Sequence, residues 1–221
     1  MAKSAAAFYD LDGTLVRTNL VHSYLFTAFN EPSLARSMLK TLGGVARVPF
    51  FWAVDQVDRL AFNEMLFAQY EGIFRDRLEE FAQEHFERVL KPNIFPGAYA
   101  LLDAARKKGL RLVLVSGNLE LMVAPLAQYL GLDDLITNHL EFKNGRATGK
   151  LVPPVLAGAN KARFIQEYAR EHDIDLLESY GFSDSYSDYP MLAVLGRPAA
   201  VNPDWRLKRA ARSFDWPVIH L

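Results

Sequence analysis

Phe8-Tyr9-Asp10-Leu11-Asp12-Gly13-Thr14-Leu15 closes a short apolar run that begins at Ala5. The run from Ala5 to Tyr9 predicts a buried strand, and it ends in two acids on alternate residues. Side chains alternate in direction along a strand. Just beyond it the backbone bends, which Gly13 permits. Asp10 and Asp12 can then both face a crevice at the carboxyl end of a sheet, where open α/β folds bind ligands. Two acids this close repel each other, and a bound divalent cation would keep both ionised. The simpler reading is a strand followed by an Asx-type turn.

The chain has 221 residues, enough for one large domain or one domain with an insertion. Half of the residues are hydrophobic and the formal net charge is −1. That balance argues against nucleic acid or an anionic membrane surface as the main partner. There is no cysteine, which excludes disulfides, thiolate metal sites and a cysteine nucleophile. It also fits a reducing cytoplasm, the expected location. Met1 to Ala7 is too short for a signal peptide, and no apolar run approaches the ~20 residues that span a bilayer. The five histidines are scattered without ligand spacing and read as surface or core residues.

Residues 17–93 lack strand-helix alternation and carry apolar residues at helical spacing. Val21, Tyr24, Leu25 and Ala28 share one helical face, and Leu34, Met38 and Leu42 repeat the pattern after Pro32. Leu60, Met65, Phe67 and Ile73 predict another helical stretch. Asp76 is the expected N-cap of a helix through Phe81, His85 and Val89 that Lys91-Pro92 ends. Gly43-Gly44 and Pro49 interrupt the segment. Val48 to Val54 reads as its core, with an apolar substrate pocket or a membrane-surface patch as alternatives. The expectation is a helical domain at 17–93 inserted into a core formed by 1–16 and 94–221.

From Phe95 the pattern alternates. Helices are predicted from Pro96 to Gly109, Leu119 to Leu130, Ala159 to Glu171, Pro190 to Leu195 and Asp204 to Arg212. Strands are predicted at Leu110–Val115, Leu176–Phe182, Pro198–Val201 and Val218–His220. Asn144-Gly145 is a two-residue hairpin signal between Ile136–Phe142 and Arg146–Leu151. Such alternation implies an α/β fold with a Rossmann-like parallel sheet.

Four polar clusters then fall along the carboxyl edge of that sheet. Asp10 and Asp12 form the first. Ser116-Gly117-Asn118 is the second, read as a turn opening a helix, where amides and a hydroxyl suit a phosphoryl oxygen. Lys161 is the third, a cation that can neutralise phosphate charge. Asp184 and Asp188 are the fourth, with hard oxygens suited to Mg²⁺. Taken singly, each has a plainer reading: a turn, a solvated lysine, a pair of caps. The combination carries the argument, because acids, hydroxyl, lysine and acids follow in order at their expected structural sites.

In these motifs the chain resembles a haloacid dehalogenase (HAD) superfamily phosphohydrolase of subfamily IB, the phosphoserine phosphatase-like group with a helical cap between the first two motifs. D-x-D-G-T-L matches Asp10 to Leu15, L-V-S-G-N carries Ser116, and Lys161 stands for the third motif. The fourth, G-D-x-x-x-D-x-P-M, matches Ser183 to Met191 with Ser183 in place of the usual glycine. The hairpin Asn138 to Leu151 is also similar to that subfamily. The cap matches only in placement and helical character.

The resemblance implies a Mg²⁺-dependent phosphatase acting on a small-molecule phosphomonoester. Asp10 would be the nucleophile that forms an aspartyl-phosphate, and Asp12 the general acid and base. The Asp10 carboxylate, the Asp12 carbonyl and Asp184 would hold the metal, with Asp188 supporting them or orienting Lys161. Ser116, Gly117, Asn118 and Lys161 would bind the phosphoryl oxygens, and the cap would close over the substrate. A phosphotransferase of the same family and a non-catalytic phosphate-binding module are the alternatives. Phosphoserine phosphatases place a glutamate and a cap arginine where spacing here gives Asn19 and Gln69, so both charges that read a zwitterionic amino acid are missing. Asn19, His22 and Tyr24 could contact an alcohol or sugar instead.

Overall fold

In a computed structural model the structure describes residues 4–18, 66–157 and 160–221, apart from the Gln69 side chain. The predicted helices before Leu66, the apolar run Val48–Val54, and Asn19, His22 and Tyr24 lie outside the described residues.

Strand β1 (Ala6–Tyr9) is buried throughout. It lies in a six-stranded sheet of order β3 (Asp134–Asn138), β2 (Arg111–Leu119), β1, β6 (Tyr180–Ser183), β7 (Arg197–Val201) and β8 (Val218–Ile219), in which every pairing is parallel. Phe8 is in register with Val113 on one side and Gly181 on the other. The strand divides the core by alternation. Ala7 and Tyr9 join Leu112, Leu114, Leu102 and Leu126 on one face, and Ala6 and Phe8 join Val113, Val115, Ile165 and Leu207 on the other. Such two-sided burial explains the near-absence of polar residues in the strand. The chain passes from β1 to β2 and β3 on one side and returns to β6 on the other. The end of β1 is therefore a topological switch point, where this kind of sheet opens a crevice.

The remaining elements follow the predicted order, with shifts that have local causes. Helix α1 (Arg75–His85) has Phe74 at its N-cap, and Asp76 lies inside the first turn. The acid favours the helix N-terminus electrostatically without capping it. The helix continues as a π-helical stretch, Phe86–Leu90, and a 3-10 turn, Lys91–Asn93. Helix α2 (Pro96–Lys107) begins with proline as expected. Strand β2 (Arg111–Leu119) runs past its predicted end, with a break in register between Val115 and Leu119. Ser116-Gly117-Asn118 is thus an irregular strand end, and helix α3 (Glu120–Leu130) opens beyond it.

The predicted strand Ile136–Phe142 is two strands. Strand β3 (Asp134–Asn138) pairs with β2 in the main sheet. Strand β4 (Leu140–Lys143) pairs antiparallel with β5 (Arg146–Leu151). Asn144 and Gly145 turn the hairpin with φ of 50° and 74°, the positive pair that a two-residue turn requires. Then come α4 (Asn160–Glu171), β6 (Tyr180–Ser183), α5 (Tyr189–Ala193), β7 (Arg197–Val201), α6 (Trp205–Ser213) and β8 (Val218–Ile219). A third apolar cluster joins Leu66, Phe67, Tyr70, Leu78 and Phe81 to Leu119, Met122, Leu140 and Leu151. The described part of the 17–93 segment therefore rests on α3 and the hairpin.

His85 is buried in α1, and burial pushes its imidazole down to about 4. In the unfolded chain it titrates near the ordinary ~6.5, so between those values the unfolded state binds the extra proton. Stability should fall as pH drops through that window, by up to about 1.4 kcal/mol per pH unit from this group. Urea midpoints measured across the window should fall less steeply in His85→Leu than in the parent.

Candidate active site

The ladder between β1 and β6 extends one residue beyond β1, the Asp10 amide donating to the Phe182 carbonyl at 2.9 Å. This holds Asp10 at the lip of the sheet. The chain then turns sharply, with the amides of Thr14, Leu15 and Val16 all donating to the Leu11 carbonyl. Gly13 makes the turn at φ +78°, and a Cβ there would fall 2.1 Å from Asp184 Oδ2. A side chain at this position would displace the Asp184 carboxylate.

Two hydrogen-bonded groups face the crevice. In the first, Lys161 Nζ donates to Asp10 Oδ1 at 2.6 Å and to Asp188 Oδ2 at 2.8 Å. Ser183 Oγ also donates to Asp188 Oδ2, at 2.8 Å. Thr14 Oγ1 donates to Asp10 Oδ2 over a longer 3.4 Å. Lys161 and Asp188 are almost fully buried, 4% and 1% exposed, so neither charge is relieved by water. In the second group, Asn118 Nδ2 donates to Asp12 Oδ2 at 2.8 Å and Thr18 Oγ1 to Asp12 Oδ1 at 3.1 Å. Ser116 Oγ accepts from the Asn118 amide at 3.2 Å, which leaves its proton free to be donated elsewhere. Asp184 is tied by its carbonyl, which accepts from the Asp204 amide at 2.8 Å.

Burial raises the Asp10 carboxyl, with Asp188 and Asp12 adding to the rise against the pull of Lys161. Asp184 is raised to about 8 by burial and by the charges of Asp10 and Asp188. Burial disfavours the Lys161 ammonium, but Asp10 and Asp188 outweigh it and hold the lysine charged, well above its ordinary range.

Residues 7–193 match the family model of haloacid dehalogenase-like hydrolases. The chain belongs to this family. The phosphoserine phosphatase SerB1 of Mycobacterium tuberculosis (strain ATCC 25618 / H37Rv) is 29% identical over 216 residues, covering 97% of this chain and 70% of that protein. A histidinol-phosphatase of Neisseria meningitidis serogroup C (strain 8013) is 27% identical over 97% of each chain. A crystal structure from Bordetella pertussis Tohama I, of a protein with unknown function, matches with a TM-score of 0.83 at 22% identity and covers 99% of both chains. That likeness is one of fold.

This HAD hydrolase thus brings Asp10, Asp188 and Lys161 into direct contact, sets Asp184 against Gly13, and brings Asn118 to Asp12. Asn118 directs its side-chain amide to Asp12 and to Ser116 Oγ. Gly117 sits in the irregular strand end, with its carbonyl accepting from Asn138 Nδ2 at 2.8 Å. Sequence reasoning missed Asn138. Its side chain also donates to the Leu156 carbonyl and accepts from the Leu156 amide, pinning two loops at the crevice. The available signal was a polar residue closing the buried end of β3. The contacts of Thr18 and of the Ser183 hydroxyl were not legible either.

The donor set fits a hard divalent cation. Asp188 Oδ1 is buried with no hydrogen-bond partner among the described residues. Four acids, Asp10, Asp12, Asp184 and Asp188, share the neighbourhood with Lys161, and burial first, then the charges of Asp10 and Asp188, raises the Asp184 carboxyl. Among the described residues no three acidic, histidine or cysteine side chains form a closed cage. A site with two carboxylates, a backbone carbonyl and water suits Mg²⁺, which retains much of its hydration.

Lys161→Met would leave Asp10 and Asp188 buried without their counter-ion. The expected cost is about 3–5 kcal/mol in urea unfolding. Adding Asp188→Asn should recover part of that loss.

Proposed function

We propose that this HAD hydrolase cleaves a small phosphomonoester in two steps at Asp10. The observation that carries the reading is the Asp10 carboxylate at the β1 switch point, held by a buried lysine 2.6 Å away with Asp12 two residues on. Lys161 occupies Asp10 Oδ1, and Oδ2, which takes only the longer 3.4 Å bond from Thr14 Oγ1, would attack phosphorus. As the new oxygen-phosphorus bond forms, the bond to the substrate alcohol breaks, and Asp12 gives its proton to the departing oxygen. A water then attacks phosphorus, Asp12 takes its proton, and phosphate leaves Asp10 as a free carboxylate.

Ser116 and the Gly117 amide would bind phosphoryl oxygens, with Lys161 offsetting charge as the transition state forms. Asn118 and Thr18 would hold Asp12 in one orientation. The Asp10 carboxylate, the Asp12 carbonyl and Asp184 would hold Mg²⁺, with Asp188 behind them. When bound, the ion supplies positive charge to a phosphoryl oxygen and keeps the carboxylates ionised. Residues 17–93 would act as the cap that excludes bulk water and reads the leaving group.

Relatives named for two different substrates, phosphoserine and histidinol phosphate, do not single out one for this chain. Asn19 and Gln69 replace the charges suited to a free amino acid, and leaving a substrate charge unpaired in a closed site is costly. The reading therefore favours a phosphomonoester of an alcohol or sugar without a zwitterionic head.

Phosphate release should be measured on phosphoserine, histidinol phosphate, sugar phosphates and lysophosphatidate, with Mg²⁺ and with a chelator. Asp10→Asn is expected to lower the best rate by at least ~10³-fold, and chelation should abolish it until Mg²⁺ is restored. Equal release by Asp10→Asn and the parent would rule out Asp10 as the nucleophile.

A further inference from the structure

The helix α6, Trp205-Arg206-Leu207-Lys208-Arg209-Ala210-Ala211-Arg212-Ser213, carries four cations and no acid. Leu207 and Ala211 face the core. The opposite face presents Trp205, Arg209 and Arg212, spaced so that they line one stripe of the helix. Trp205 is 73% exposed, and Phe214, just beyond the last turn, is 55% exposed. Arg209 and Arg212 are also exposed. None of the four cations has a carboxylate partner among the described residues, although Arg206 lies over the Tyr186 ring at 4.4 Å. A chain of net charge −1 thus gathers positive charge without direct carboxylate contacts on one short face, beside the exposed Trp205; Phe214 turns to the other side and packs on Tyr189 and Trp216.

We propose that α6 docks the protein on an anionic lipid bilayer. The face is complementary to a layer of acidic headgroups in charge, and the exposed indole of Trp205 on the same stripe suits the boundary between headgroups and acyl chains. A single convex helix meets a plane along its outward stripe. Single-stranded nucleic acid is bound in grooves with stacking platforms, and here the neighbouring rings of Tyr186, Tyr189, Trp216 and Phe214 stack on one another. Asp204 fixes the orientation. Its Oδ1 accepts from the Leu207 amide at 2.7 Å and its Oδ2 from the Tyr186 amide at 2.8 Å, so the docked helix is joined to the loop of Asp184. Whole-chain charge does not reveal this face, which is why composition argues against membrane contact.

The test is sedimentation of the full chain with vesicles of phosphatidylglycerol and phosphatidylcholine, compared with phosphatidylcholine alone. Binding is expected only to the anionic vesicles and should weaken as salt is raised. Each cation removed should weaken it by roughly fivefold, so Arg209→Gln with Arg212→Gln is expected to lose about 25-fold. Trp205→Ala should weaken binding without changing its salt dependence. All three positions are exposed, and thermal unfolding should be unchanged in the variants. Equal binding to neutral vesicles, no binding to anionic ones, an unaffected double variant, or a preference for single-stranded RNA over the vesicles would each overturn the proposal.

Discussion

A lysine held almost without water between two carboxylates is the interaction on which the crevice depends. Lys161 comes from α4, Asp10 from the end of β1 and Asp188 from the turn after β6. Three elements far apart in sequence are therefore fixed at one point by charge. The attraction is strong because the surroundings are dry, and for the same reason each partner is costly to leave alone. Ser183 adds a donor to the Asp188 oxygen that the lysine also uses. A hydroxyl at a position where the family pattern has glycine thus contributes a hydrogen bond to the ion-pair network.

The negative side of the same balance defines the chemistry. Among the described residues Lys161 faces four acids, and burial with the neighbouring carboxylates raises the carboxyls of Asp10 and Asp184. Asp12 is treated differently from Asp10, with neutral amide and hydroxyl donors on its two oxygens. Two acids two residues apart thus occupy distinct surroundings, as the proposed roles of nucleophile and proton carrier require.

The fold was legible wherever one rule acted alone. The apolar run at β1, the Asn144-Gly145 turn and Pro96 at a helix start each state their geometry locally. The acids, Ser116 and Lys161 were legible as a set because their spacing follows successive strand ends. Shifts appeared where tertiary contacts override local preference. Ser116-Gly117-Asn118 reads as a turn before a helix, yet it bridges a break in register, with β2 paired to β3 at Val115 before it and at Leu119 after it. Ile136 to Phe142 reads as one strand, but Asn138 spends its side chain on Gly117 and Leu156, and the chain changes sheet at His139. The hydrogen bonds of Asn138, Thr18 and Ser183 span separate turns of the chain, and no periodicity encodes them.

The Asp204 carboxylate has a consequence for how motion is distributed. Its two oxygens close the first turn of α6 and tether Tyr186, while its own amide holds the Asp184 carbonyl. The loop after β6 therefore takes its rigidity from a helix on the outer layer. Loop and helix form one cooperative unit in the sense of local unfolding. A fluctuation that frays the first turn of α6 also loosens the backbone beneath Asp184, so the quietness of the catalytic edge is set partly at the molecular surface.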